Sequence, residues 1–270
     1  MCSINGVTGK QEALVRAMND ATQHRGPDAT AVWTDGKVTL GANRLAIIDL
    51  STTANQPMHS PDGRYSIVFN GEIYNFRELR QDLEKVHAFK TGGDTEVLLA
   101  LFVRDGVQAF SLLNGMFALA IWDREMEELT LARDHSGIKP LYYRIHNGQL
   151  AFSSEVKGIL ADTTIDRKIH REALELYLRL RYVPEPLSMI QTIEKLPPAS
   201  YGTFRKGRLT IHTFFSPELQ PLLSISRADA EATTRTLVDA SVRRQLVSDR
   251  PIGVFLSGGL DSTIMLDAAI

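Results

Sequence analysis

A single cysteine occurs in these 270 residues. A lone thiol excludes an intramolecular disulfide and a thiolate metal cluster, which leaves an inert thiol, a reactive thiol or an intermolecular bridge. The reducing cytosol suits it best. No segment approaches the ~20 apolar residues that a membrane helix needs, and the N-terminal stretch lacks the basic and apolar regions of a secretory leader. A cytoplasmic protein without a membrane partner is therefore expected. An excess of one charge is missing too: 30 Lys and Arg stand against 32 Asp and Glu, a net charge of −2. No strong field exists to gather nucleic-acid phosphates, so small or neutral partners are expected. There is no internal repeat and no low-complexity tract. What is present, 43% hydrophobic and 23% charged residues, is the composition of a globular chain large enough for one big domain or two modest ones.

Strand-like runs occupy 37–50, 64–76, 116–123, 127–134 and 140–154, the last broken by Asn147-Gly148, a strong hairpin signal. Helical spacing occupies 9–24, 76–85, 94–106 and 107–115, with Gly106 and Gly115 as stops. A sandwich of two antiparallel sheets between helical layers absorbs this pattern. Four of the eleven prolines fall at 184, 186, 197 and 198, marking a boundary or a lid. A hairpin over 201–215 precedes a helical stretch over 226–249, and then PIGVFLSGGLDSTIMLDAAI (251–270) reads as an apolar strand, a Gly-rich turn and a helix opening. One strand and one helix do not make a parallel sheet, so the chain is expected to stop inside a second domain.

Cys2 follows Met1 directly in MCSINGVTG. An ordinary thiol titrates near ~8.5 and needs a base to act near neutral pH. Removal of Met1, which the small Cys at position 2 favours, gives Cys2 its own base. An α-amine with an unperturbed pKa of about 7.7–8 can take the thiol proton and return it to a leaving amine, with no histidine required. Taken alone, Cys2 is equally an inert thiol. In FNGEIYN (69–75), Asn70-Gly71 either turns a hairpin or offers the Asn amide and the next backbone N–H to a tetrahedral oxygen. Such oxyanion donors are worth roughly 3 kcal/mol each. Arg44, in GANRLAIIDL, either packs its stem at a sheet rim or forks a substrate carboxylate. Asp94, after two glycines in KTGGDTEVLLAL, caps a helix and can pair with a substrate ammonium as well. A thiol, an oxyanion hole, a carboxylate clamp and an ammonium acceptor describe a pocket for a free amino acid with a hydrolysable side-chain amide. Glutamine fits that description.

MCSINGV, HRGPD (24–28), NRLAIIDLS (43–51), NQPM (55–58), FNGEIYN, GGDTEV (92–97), LNGMFALAIWD (113–123) and ARDHSGIKPLYY (132–143) resemble, in this order, the class II glutaminase domain of glutamine-hydrolysing asparagine synthetases. The resemblance implies an N-terminal nucleophile hydrolase fold that releases ammonia through a γ-glutamyl thioester. It implies Cys2 as nucleophile with its amine as base, and Asn70 and Gly71 as the oxyanion hole. Arg44, Asn70, Glu72 and Asp94 would hold glutamine, Arg44 by its carboxylate and Asp94 by its amino group. Arg25 to Asp28 resemble the family's loop beside the pocket, although a turn set by Gly26-Pro27 is their simpler role. His135 and Ser136 depart from the family, in which many members have Arg and a bulky apolar residue.

FLSGGLDS (255–262) matches neither of the common phosphate and dinucleotide motifs. Its Ser-Gly-Gly amides and the helix that follows nevertheless suit an anion, while a tight strand-to-helix turn alone also calls for Gly258 and Gly259. The S-G-G-x-D-S form resembles the pyrophosphate loop of ATP pyrophosphatase domains, which make acyl-adenylates. That resemblance implies ATP at Leu256, Ser257, Gly258, Gly259, Asp261 and Ser262, and Mg2+ whose ligands lie mostly outside this chain.

The expected fold is α+β: an αββα N-terminal nucleophile hydrolase sandwich over 2–200, a hairpin and linker over 201–225, and over 226–270 the first βα unit of an α/β ATP pyrophosphatase domain. The expected activity is that of a glutamine-hydrolysing asparagine synthetase, with ammonia passing from glutamine to an ATP-activated aspartate side chain. The chain as it stands would keep the glutaminase chemistry. Glutamine, aspartate and ATP are the expected partners, and homodimers are common among similar enzymes. The alternatives are a related amidotransferase with another carboxylate acceptor, and a non-catalytic regulatory fragment.

Overall fold

The computed structural model describes residues 1–218 and 224–270. Its elements in chain order begin with β1 (Ser3–Thr8), α1 (Glu12–Thr22), β2 (Ala29–Thr34), β3 (Val38–Arg44), β4 (Met58–His59) and β5 (Tyr65–Ile73). Next come α2 (Phe76–Leu83), α3 (Asp94–Asp105), α4 (Ala109–Leu112), β6 (Gly115–Asp123), β7 (Glu128–Arg133), β8 (Tyr142–His146) and β9 (Gln149–Ser153). The remainder are α5 (Val156–Ile159), α6 (Arg171–Leu180), β10 (Glu194–Lys195), β11 (Ser200–Arg205), β12 (Arg208–Thr213), α7 (Arg227–Gln245) and α8 (Leu260–Ala269).

Alternation along the strands sets the layers. In β1, Ile4 points into the cluster it shares with Val38, Leu40 and Ala42 of β3 and with Val68, Ala118, Ala120 and Leu131 of β5, β6 and β7. Residues of the opposite parity face the other way: Asn5 Nδ2 donates to Asn19 Oδ1 of α1 at 2.8 Å, and Val7 packs with Val15 and Met18. A strand whose two faces are both buried reads in this way only when one face meets a second sheet and the other meets helices. The sheets run β10-β8-β9-β1-β3-β2 and β12-β11-β7-β6-β5-β4, with all pairings antiparallel. Helices α1 and α5 cover the first sheet, and α3, with α2 beside it, covers the second. The sandwich is αββα, as expected.

Several local expectations differ. The 37–50 run is a strand only to Arg44. The 107–115 stretch is a 3-10 turn at Gly106–Gln108 followed by the four residues of α4, because Gly106, at φ 59, ends the α3 hydrogen bonding. The Pro-rich segment is no boundary: Glu194 and Lys195 pair with Tyr143 and Tyr142 of β8. The hairpin expected over 201–215 forms as β11 and β12, but it belongs to the sandwich, since β11 pairs with β7 from Ser200↔Arg133 to Phe204↔Leu129; of the linker expected up to 225, residues 219–223 lie outside the described residues. The paired hydrogen bonds of a central strand need a neighbour on each edge, and β11 supplies the one that β7 lacks. Contacts divide the chain into Met1–Ala46 with Ser51–Ser216, and Ile47–Leu50 with Pro217–Ile270. In the second unit α7 and α8 form as expected, but 251–257 carries no strand. The βα unit is present as its helix alone, for an apolar run becomes a strand only with a partner to take its backbone hydrogen bonds. Among the described residues no helix is long and apolar enough to cross a membrane.

Candidate active site

Parity and register gather the site at one end of the sandwich. Ser3 lies opposite Asn43, so one further step brings Cys2 level with Arg44, and both share the parity of Ile4 and Ala42, which face the second sheet. Across the gap, Val68 of β5 faces inward, and Asn70 and Glu72 follow it at steps of two. Three strand ends thus aim a thiol, a guanidinium, an amide and a carboxylate into one space.

The Cys2 thiol sits on the chain that leaves β3. Its Sγ accepts from the Leu45 N–H at 3.4 Å and lies 3.7 Å from the Leu45 carbonyl oxygen. Burial pushes the thiol above its ordinary pKa, and the Leu45 N–H opposes the shift. The amine of Met1 is pushed down by burial, with Lys139 and Arg25 acting in the same direction. Residues 24–28 clamp this end of β1. Arg25 Nε donates to the Cys2 carbonyl at 3.0 Å, its Nη1 meets Glu155 at 3.0 Å, and the Asp28 carboxylate accepts from the Ala46 N–H at 2.8 Å. Gly26 is required here because a Cβ would stand 2.3 Å from the Asn43 carbonyl oxygen.

Asn70-Gly71 lies inside β5, which removes the hairpin reading. The Asn70 side chain is 1% exposed, and among the described residues neither its Nδ2 nor its Oδ1 has a hydrogen-bond partner. Buried amides are nearly always paired, so this one is held for something else. Backbone amides of a strand point alternately to its two edges. The Phe69 N–H goes to Gln56 Oε1 at 2.6 Å and the Ile73 N–H to Asp94 Oδ2 at 2.9 Å, so the Gly71 N–H between them points to the same edge, beyond the two-residue β4. Packing against the neighbouring strand requires glycine at position 71. A Cβ there would meet the Met116 carbonyl oxygen of β6 at 2.3 Å.

Arg44, 7% exposed, is set by the turn after Leu50: its Nη1 donates to the Ser51 carbonyl at 2.8 Å and to Asn55 Oδ1 at 2.9 Å. Asp94 is the first residue of α3, but Gly93 occupies the cap position, and the Asp94 Oδ2 accepts from the Ile73 N–H. Burial raises the Asp94 pKa against that hydrogen bond. Burial, then the Asp94 charge, pushes Glu72 up to about 8, with Lys139 and the N-terminal ammonium opposing. Two carboxylates in one pocket call for a cation, and a substrate ammonium is one.

Lys139 was not anticipated. It is 3% exposed, and its charge acts on Glu72, Cys2 and the N-terminal amine. A lysine after a glycine turn reads as solvated, and only the GIKP run within ARDHSGIKPLYY gave a hint of it. His135 packs edge-on against Phe214 at 5.1 Å between ring centroids, and the Ser136 N–H binds Asp134 Oδ1 at 3.1 Å.

The residues expected to hold ATP lie in the second unit. Gly258 turns at φ 77, Gly259 caps α8 without a side-chain bond, and Ser257 Oγ lies 3.0 Å from Ser262 Oγ. Uncapped first-turn amides flanked by two hydroxyls are a donor set that fits a phosphate. Leu256 precedes this turn and Asp261 lies in the first turn of α8; both are exposed. Among the described residues no group of three His, Cys, Asp or Glu could hold a metal ion.

Comparison with known proteins agrees with this geometry. Residues 1–215 match the family model described as a glutamine amidotransferase domain, and residues 233–269 match one described as asparagine synthase. The chain is 40% identical, over all of its length, to asparagine synthetase [glutamine-hydrolyzing] 1 of Bacillus subtilis, of which it covers 44%. It is 36% identical over 98% of its length to a putative asparagine synthetase [glutamine-hydrolyzing] 2 of Methanocaldococcus jannaschii, of which it covers 56%. The chain thus spans about half the length of these curated relatives. Among solved structures, glutamine phosphoribosylpyrophosphate amidotransferase from B. subtilis shares the fold, with a TM-score of 0.59 at 19% identity over 99% of this chain and 64% of that one.

Proposed function

Because this chain belongs to the glutamine amidotransferase family, we propose that its first unit hydrolyses glutamine at Cys2 and that ammonia is the product passed on. Arg44 takes the glutamine α-carboxylate, and Glu72 and Asp94 take its ammonium, whose positive charge favours the ionised form of two carboxyls that burial holds high. After removal of Met1, the Cys2 amine accepts the thiol proton and Sγ attacks the side-chain carbonyl. The oxyanion receives hydrogen bonds from Asn70 Nδ2 and the Gly71 N–H. The amine returns the proton to the departing nitrogen, ammonia leaves, and water then cleaves the thioester to give glutamate. Asn70 carries this reading: a buried amide without a partner among the described residues, at the inward parity of the strand facing Cys2, is the donor that such an intermediate needs.

The whole protein is proposed to be a glutamine-hydrolysing asparagine synthetase acting on glutamine, aspartate and ATP. The matches of residues 233–269 and of the two relatives support this. Ser257, Gly258, Gly259 and Ser262 would hold ATP phosphates, with Leu256 and Asp261 beside them. When bound, ATP supplies the activation of the acceptor carboxylate, and Mg2+ is proposed only as its counter-ion.

The test is ammonia release from glutamine by protein shown by intact mass to start at Cys2. Turnover is expected from the wild type and none from Cys2→Ala. Undiminished hydrolysis by Cys2→Ala removes the proposal.

A further inference from the structure

Lys139 is a buried ammonium without an adequate partner. It is 3% exposed, and its one side-chain hydrogen bond among the described residues is to the Met1 thioether at 3.0 Å. No carboxylate lies within ion-pair distance of it among the described residues. A thioether is a weak acceptor, and burying a charge is costly unless it is paired. Removal of Met1 takes even that acceptor away.

The surrounding chain is built to hold Lys139 there. The Asp134 carboxylate accepts from the N–H groups of Phe117, Ser136, Ile138 and Lys139 at 2.9–3.1 Å, knotting the turn 134–139 onto β6. Arg133 Nε donates to the Lys139 carbonyl at 2.8 Å, and its Nη1 and Nη2 go to the Leu196 and Gly137 carbonyls. Gly137, at φ 65, supplies the left-handed step. With both its N–H and its carbonyl tied, Lys139 cannot swing its side chain to solvent by moving the backbone.

We infer that Lys139 is a positioning residue of the glutaminase site, its ammonium held against Cys2 to favour the thiolate and the unprotonated N-terminal amine. The groups facing this centre are Glu72 from β5, Asp94 from α3, Arg25 from the 24–28 loop, Asp134 from the turn and Lys139 itself. Of the two cations, Arg25 is paired with Glu155; Lys139 is not paired with a carboxylate. A nearby positive charge lowers the cost of forming S⁻ and raises that of holding a proton on the amine. Lys139 lowers the pKa of the amine at Met1, the Cys2 charge in turn favours the Lys139 ammonium, and Lys139 opposes the upward push on Glu72.

The inference rests on Cys2 as the nucleophile, and its test needs no glutamine. Cys2 is the only thiol, so alkylation by iodoacetamide, followed by intact mass on Met1-free protein, reports one site as a function of pH. Lys139→Met is expected to move the midpoint of the alkylation rate upward by about one pH unit, the effect of one partly screened charge. The rate at pH 7 falls about tenfold, while Lys139→Arg keeps the wild-type curve. A purely structural lysine would lower thermal stability and leave the midpoint in place. Coincident midpoints for folded Lys139→Met and wild type overturn the inference. If Lys139→Met does not fold, Lys139→Gln, which also removes the charge, decides: a midpoint shifted toward higher pH supports the inference, and a wild-type midpoint overturns it. Glutamine turnover by the wild type tests the glutaminase proposal separately.

Discussion

Replacing Asn70 by Ala should separate stability from activity. In the free protein both polar atoms of the Asn70 amide are buried without partners among the described residues, an arrangement that costs about 1–3 kcal/mol. Truncation to Ala relieves that cost and gives up the packing of three heavy atoms, about 1 kcal/mol. The net is between neutral and about 2 kcal/mol stabilising, which in a unit of this size moves the midpoint of thermal unfolding by roughly 0 to +8 °C. Loss of one preorganised oxyanion donor lowers kcat by about 100- to 1,000-fold, equivalent to about 2.7–4 kcal/mol. Calorimetry of the unfolding transition and steady-state ammonia release measure the two quantities on the same preparation. A variant that melts several degrees lower while keeping kcat within a few-fold would refute the reasoning, because it would make Asn70 a packing residue with an overlooked partner.

The Glu72 carboxyl titrates higher in the folded chain, near 8 against 4.5 unperturbed. The folded state therefore binds more protons across that window, and stability falls as pH rises through it. Glu72→Gln should match the wild type in thermal midpoint at pH 4 and exceed it at pH 8; equal midpoints at both pH values would show that the carboxyl is not held high. Gly71→Ala should cost about 2–3 kcal/mol by urea denaturation, because its Cβ would fall 2.3 Å from the Met116 carbonyl oxygen and 2.8 Å from the Phe117 Cα, atoms of a central strand that cannot yield. An unchanged urea midpoint would contradict that packing.

Much of the fold was legible because its signals are local. Period-two alternation marked β5, β6 and β7, and Asn147-Gly148 turned the hairpin between β8 and β9 with φ of 49° and 72°. Expectations failed where the deciding partner is distant. The hairpin at 201–215 was legible, but it was set apart from the sandwich because nothing local says that Ser200 will pair with Arg133. The run 251–257 looked like a strand because its apolar residues are visible and its missing neighbours are not. At the site, Cys2, Arg44, Asn70, Glu72 and Asp94 were legible as residue types in recognisable motifs, whereas nothing local marks Lys139, which is buried and tied to the Asp134 carboxylate through its N–H.

The sequence by itself determined the chemistry available: one thiol behind a removable methionine, an Asn-Gly pair after an apolar run, and an arginine and an aspartate in motifs suited to a free amino acid. It also determined which segments alternate and so become strands. Only the tertiary structure decided that these groups share a pocket, because that depends on register. One residue of slip in β1 or β5 would turn Cys2 or Asn70 from the gap between the sheets toward a helix layer. Only the tertiary structure, too, left the Asn70 amide buried and unpartnered, since the pairing of a polar group is settled by everything around it and not by its neighbours in the chain.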